Sequence, residues 1–329
     1  MRRRFLLGLE ERQAPSAHHW IRVHRNAMAC RFEITLSGED ARHLSAAREA
    51  LEEADRVEAM LTVFHNTSEV SLLNAREGTE DVAVSEELFT LLERAVLLHA
   101  ATGGAFDPTS TPLLQAWGFL KREGRRPDAA TLEAARALVG MERVKLDGAL
   151  RTVRKERSGV QLSFGSLGKG YALDRMAEGL RRGGVPRALL SAGGSSVVAF
   201  GGGEEGFAVD VRSKRASGAR LFGLRLKDAA QATSGAGEQF FEVDGQRYGH
   251  VLDPRTGWPA AGVLSATAVT GSAADADALS TAFLVAGPSL AESYCADHAG
   301  TLALLVLETE PDRLLVFGSH EGAALEEAS

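Results

Sequence analysis

The stretch Phe240-Phe241-Glu242-Val243-Asp244-Gly245-Gln246-Arg247-Tyr248-Gly249-His250-Val251-Leu252 decides the fold class. Two strand-like runs flank Asp244-Gly245, and Asp-Gly in that position suits the left-handed backbone of a two-residue hairpin turn. The reading is a hairpin with strands over 240–243 and 246–252. A further strand follows over 264–270, then a helix over 275–285 that stops at Gly287-Pro288. A hairpin feeding a strand and then a helix breaks the strict alternation of a doubly wound parallel sheet. The expected class is α+β: mixed sheets with packed helices, in two tightly associated lobes.

Upstream, Leu44, Ala47, Leu51, Ala54, Val57 and Leu61 recur at threes and fours, which predicts one face of a long helix over 41–61. Ser85 is a good N-cap for a second helix, ended by Thr102-Gly103-Gly104. A third helix is expected over 128–139 and a fourth over 167–180. Strands are expected over 29–36, 188–191, 197–200, 302–307 and 313–317. Residues 1–21 and 319–329 are expected to be tails around one domain over 22–318.

The chain has 329 residues, 44% hydrophobic and 25% charged, which is globular rather than disordered composition. A net charge of −7 argues against binding nucleic acid by phosphate neutralisation. Two cysteines, Cys30 and Cys295, cannot build a disulfide framework or a cysteine-rich zinc site. No apolar run is long enough for a membrane span. Arg2-Arg3-Arg4-Phe5-Leu6-Leu7 opens like a twin-arginine export signal, but Glu10-Glu11-Arg12 ends the apolar stretch at once. The expected location is cytoplasmic.

Three segments carry chemistry. Asp277 and Thr281 lie four apart on a predicted helix, so a carboxylate and a hydroxyl share one side and offer the hard oxygens that suit Mg²⁺. The plainer reading of the same pair is that Asp275 and Asp277 favour the helix N-terminus through its dipole. Gly165-Ser166-Leu167-Gly168-Lys169-Gly170 opens a helix, where free amides and a lysine can hold phosphate. It is not a P-loop, since spacing fails and Gly170 stands where Ser or Thr belongs; a tight turn is the alternative. His250 ends a strand before the turns of Asp253-Pro254-Arg255-Thr256-Gly257, as either a structural side chain or a general base.

Taken in order, several pieces resemble the FAD:protein FMN transferases, the ApbE family. They are Met28-Ala29-Cys30, residues 68–74, 104–119 and 165–174, Ser191 to Gly194, Ala232 to Gly235, His250 to Pro259 and Asp277 to Gly287. The resemblance covers about residues 22–318. It implies transfer of the FMN half of FAD to a Thr or Ser hydroxyl of an acceptor protein, with release of AMP and with Mg²⁺. Some members hydrolyse FAD instead, and a non-catalytic FAD-binding protein is a further alternative. By the same resemblance Asp277, Thr281 and the Ser166 carbonyl match metal ligands, and His250 matches the residue that assists the acceptor hydroxyl. Lys169, Met28, Phe64, Ala105, Phe106, Asp107, Ser163 and Leu252 match nucleotide contacts. Asp277, Lys169 and His250 are thus the expected catalytic groups. The chain departs from the family pattern at Ala29-Cys30, where Gly-Thr is usual, at Ser163, where Asp is common, at Phe64, where Tyr is frequent, and at Ser166, where Gly or Ala is usual.

Overall fold

The computed structural model describes residues 19–212, 220–237 and 239–326. Arg2-Arg3-Arg4, which carried the export-signal reading, lies outside the described residues, as does most of the expected N-terminal tail.

A hairpin opens the structure: β1 (Trp20–Ala27) and β2 (Cys30–Ser37), with Ala27 opposite Cys30. Met28 and Ala29 form its two-residue turn at φ 48° and 57°. Two expectations are corrected here. Ala29 belongs to the turn rather than to the strand, and Trp20 and Ile21 belong to β1, paired with Ser37 and Leu36, rather than to a tail. The turn lacks the Asn-Gly or Asp-Gly pair that marks such a hairpin in sequence. Ala29→Gly is expected to stabilise the fold by about 0.5–1 kcal/mol, because glycine adopts positive φ without strain. A urea midpoint that stays unchanged or falls would count against strain at this turn.

The helix α1 (Leu44–Leu61) buries the expected stripe of Ala47, Leu51, Ala54, Val57 and Leu61. After it come α2 (Glu69–Asn74), β3 (Val82–Ala83), α3 (Glu86–Ala101), α4 (Thr111–Ala116) and α5 (Ala129–Arg136). Ser85 caps α3 as expected, its hydroxyl accepting from the Leu88 amide. Next are β4 (Val144–Asp147), β5 (Thr152–Lys155), α6 (Gly168–Arg182), β6 (Ala188–Ala192), β7 (Ser196–Phe200), β8 (Phe207–Arg212) and β9 (Arg220–Leu226). The remainder is β10 (Ala229–Gly235), β11 (Phe240–Val243), β12 (Gln246–Gly249), β13 (Val263–Thr270), α7 (Ala273–Ala286), α8 (Pro288–Asp297), β14 (Leu302–Leu307), β15 (Leu314–Gly318) and β16 (Ala323–Glu326).

Eight strands make the main sheet in the order β1-β2-β6-β7-β10-β13-β14-β15. Every ladder between described strands is antiparallel, which bears out the α+β class. Side chains alternate between its two faces. Val198, Phe200, Ala230, Ala268 and Leu305 join the large core with α1, α6 and α7. Val197, Ala199, Val269 and Leu304 instead meet Phe207, Leu224 and Leu226 of the small sheet β16-β9-β8. Covered on both faces, β7 and β14 are apolar at nearly every position, as a doubly buried sheet requires, whereas β10 and β13 carry buried polar residues such as Gln231, Thr233 and Thr267. A third cluster gathers Trp117, Leu132, Tyr248 and Leu252 beside β11 and β12.

The C-terminal tail is also corrected, because Ala323–Glu326 pairs with Leu226–Gly223 of β9. Its four residues and weak alternation carry no strand signal until β9 is present as a template.

Candidate active site

Helices α6 and α7 cross at their N-terminal ends with backbone against backbone. A Cβ built on Gly170 would stand 1.9 Å from the Ala273 carbonyl oxygen, so glycine alone permits the crossing. Each helix caps the other. Asp174 of α6 accepts from the Ala273 and Ala274 amides at 2.8 and 3.0 Å and from Ser272 Oγ at 2.8 Å. Burial pushes the Asp174 carboxyl up, and those three donors oppose it. Asp277 of α7 accepts from the Gly170 amide at 3.1 Å, serving α6, whose own N-cap, Leu167, has no side-chain acceptor. These bonds satisfy first-turn amides that a helix leaves unpaired.

Asp277 is 5% exposed and collects further donors. Lys169 Nζ lies 3.3 and 3.2 Å from its two oxygens, and Ser196 Oγ donates at 3.0 Å. The dipole reading of Asp277 is therefore corrected in one respect. The start of α7 is served by Ser272 and Asp174, with Asp275 paired to Arg94 at 2.7 Å, while Asp277 turns to the neighbouring helix. One turn on, Thr281 Oγ1 donates to the Asp277 carbonyl at 3.2 Å and meets Ser234 Oγ at 3.2 Å.

One cavity takes Asp277, Thr281, Lys169 and Ser166 together with Ser163, Ala105, Asp107, His250 and Leu252 in its wall. His250 Nδ1 faces the Gln239 carbonyl oxygen at 3.2 Å. A carbonyl only accepts, so Nδ1 carries the hydrogen and Nε2 is the basic nitrogen. Met28, Phe64 and Phe106 are not in this wall. Met28 sits at the tip of the first hairpin, Phe64 is 74% exposed after α1, and the Phe106 ring is 1% exposed in the main core.

Asp107 is buried and held from two sides. Its Oδ1 accepts from the Thr109 amide and hydroxyl at 2.7 and 2.6 Å. His99 Nδ1 lies 3.2 Å from Oδ2 and 3.1 Å from the Phe106 carbonyl oxygen, so Nδ1 bears a hydrogen. Burial disfavours the His99 imidazolium, but the Asp107 carboxylate outweighs it and lifts the pKa above the ordinary imidazole value. The folded state thus holds this proton more tightly than the unfolded chain. Stability from the pair is full below about pH 6.5 and is lost as pH rises through the raised value. The stability gap between wild type and His99→Asn is expected to shrink with rising pH. Urea midpoints across a pH series test it; a constant gap would leave His99 only a neutral hydrogen bond.

Sequence reasoning gave no role to Asp174, Ser196, Thr233 or Ser234. The available signal was polarity in a central strand. Gln231 and Thr233 of β10 are 2% and 7% exposed, Thr267 of β13 is fully buried, and hydroxyls at such depth report a polar floor.

The sequence profile of the ApbE family matches residues 28–306. The chain belongs to the ApbE family. The ApbE match contains every cavity residue named above. Among curated relatives, the FAD:protein FMN transferase of Treponema pallidum is 30% identical over 300 residues, covering 86% of this chain and 82% of the relative. That of Escherichia coli K12 is 25% identical over 321 residues, 94% and 90% of the two chains. The crystal structure of the ApbE protein from Thermotoga maritima superposes with a TM-score of 0.83 at 31% identity, over 91% of this chain and 97% of that one. The apo flavinyl transferase ApbE of Pseudomonas stutzeri gives 0.79 at 26% identity, over 94% and 97%.

Proposed function

We propose that this chain transfers the FMN half of FAD to a Ser or Thr hydroxyl of an acceptor protein and releases AMP. The observation that carries the reading is the convergence of Asp277, Lys169, Thr281 and His250 on one cavity of an ApbE-family chain.

Pyrophosphate cleavage asks the protein chiefly for position and charge stabilisation. Lys169, at the first turn of α6, brings a positive charge to the cavity and neutralises phosphate oxygen there. His250 Nε2 takes the proton of the acceptor hydroxyl. That oxygen bonds to the FMN phosphorus while the bond from phosphorus to the bridging oxygen breaks, and AMP departs with that oxygen. The Asp277 carboxylate, Thr281 hydroxyl and Ser166 carbonyl form an all-oxygen set of the hardness Mg²⁺ prefers, and these residues would hold the ion. Bound there, Mg²⁺ supplies positive charge to both phosphates. The Asp277 carboxylate takes four hydrogen bonds from three donors, two on each oxygen, and has about four acceptor positions, so the ion would displace one of the two Lys169 bonds.

The test is incubation with FAD, Mg²⁺ and a library of peptides each bearing one Thr, followed by mass spectrometry. Peptides heavier by FMN, with matching AMP, support the reading. Free FMN and AMP without labelled peptide would assign water as the acceptor. Loss of turnover on chelation, restored by Mg²⁺, checks the metal.

A further inference from the structure

A second cleft of about 400 Å³ adjoins the candidate active site, and Val251 lies in the walls of both. One side of this cleft is the strand β12: Gln246, Arg247, Tyr248 and Gly249 all line it. Ala236, Pro259 and Ala260 also line it, and the Ala260 amide donates to the Val251 carbonyl at 2.9 Å, closing the strand edge at that end. Phe240 and Trp258, 44% and 41% exposed, stand at the cleft as apolar platforms. Exposed aromatic rings at a groove are characteristic of contact surfaces.

The hairpin register determines what β12 offers. Among the described residues β12 has one ladder partner, β11. The His250 amide donates to the Gln239 carbonyl, so that opposed pair is a hydrogen-bonded one. Antiparallel pairs alternate, which makes Phe241 with Tyr248 and Val243 with Gln246 the next hydrogen-bonded pairs. Arg247 and Gly249 belong to the intervening pairs, and their N–H and C=O groups point away from β11. Both residues line the cleft, and the next one along, His250, lines the active site.

We propose that β12 binds the acceptor protein as an added strand. An extended segment of the acceptor pairs with the outward groups of Arg247 and Gly249 and stops before Val251, whose carbonyl already accepts from the Ala260 amide at 2.9 Å, which brings its Ser or Thr to His250. This rests on the transferase reading above. Strand addition draws affinity from main-chain hydrogen bonds and takes its selectivity from side-chain pockets. It requires a partner site that is extended and locally unpaired, such as a loop or terminus.

Arg247→Pro tests it, with Arg247→Ala as its counterpart. Proline removes the outward N–H but no hairpin bond, while alanine removes the side chain and keeps the N–H. The probe is the single-Thr peptide library. Labelling by Arg247→Pro is expected to fall by about threefold to tenfold, the factor one lost main-chain bond is worth. Arg247→Ala should label near the wild-type rate, and both variants should bind FAD as wild type does. In wild type, amide exchange at Arg247 and Gly249, but not at Tyr248, should slow when a labelled-class peptide is added, a readout independent of whether proline disturbs the hairpin. Equal labelling by both variants, or unchanged exchange at the two amides, overturns the proposal. Wild type that cleaves FAD but labels no peptide also overturns it and leaves FAD cleavage standing. Failure to bind FAD at all removes the transferase reading itself.

Discussion

Asp277→Ala is expected to lower FMN transfer by at least about a hundredfold, the scale of removing one charged or polar group from a reacting centre. Thr281 and the Ser166 carbonyl are neutral, so this carboxylate is the full negative charge in the proposed ion site. Mg²⁺ bound through one carboxylate and substrate phosphates loses most of its protein attachment with it. Thr281→Ala should cost far less. Asp277 also accepts from the Gly170 amide and Ser196, and leaving buried donors unpaired costs about 1–3 kcal/mol each. Alanine's helix propensity therefore does not make this variant neutral for stability. The measurement is AMP release and FMN transfer across a Mg²⁺ titration, with thermal unfolding alongside. Near-wild-type transfer at low Mg²⁺ would overturn the assignment of Asp277.

Gly170→Ala is expected to destabilise the protein by more than about 3 kcal/mol, and to yield little folded chain. Its Cβ would meet backbone, the Ala273 carbonyl oxygen at 1.9 Å and carbon at 2.3 Å, and a carbonyl cannot rotate aside as a side chain would. The helices would have to separate, breaking both reciprocal caps. Gly179→Ala on the same helix is the control. Its Cβ meets nothing within 4 Å, and it should stabilise by about 0.5–1 kcal/mol through helix propensity. Similar urea midpoints for the two variants would refute the crossing described here.

Much of this architecture was legible because periodicity is a local property. The stripe of α1, the Asp244-Gly245 turn and the cap at Ser85 each need only neighbouring residues to be read. What escaped depends on distant partners. β10 reads as the polar motif Thr233-Ser234-Gly235, yet it is a central strand whose hydroxyls face the cavity. Gly287-Pro288 reads as a stop and is also a start: Gly287 at φ 73° ends α7, and Pro288 opens α8, where a missing N–H costs nothing. At the site, residue types pointed to oxygen ligands and a base, but not to the crossing. Nothing near Asp174 in sequence shows that its carboxylate serves a helix that begins 99 residues later.

The exchange of carboxylates between α6 and α7 has a kinetic consequence. Lys169 and Asp277 are 108 residues apart, and the Gly170, Ala273 and Ala274 amides gain their carboxylate partners only when the two helices dock. Long chain closure of this kind is slow, because its entropy is lost before any contact repays it. The Lys169–Asp277 corner of the site forms only once both helices have docked, and a chain still emerging from synthesis lacks it until residues beyond 277 are available. Regain of turnover after dilution from denaturant thus reports the final cooperative step of refolding, not the early formation of helices.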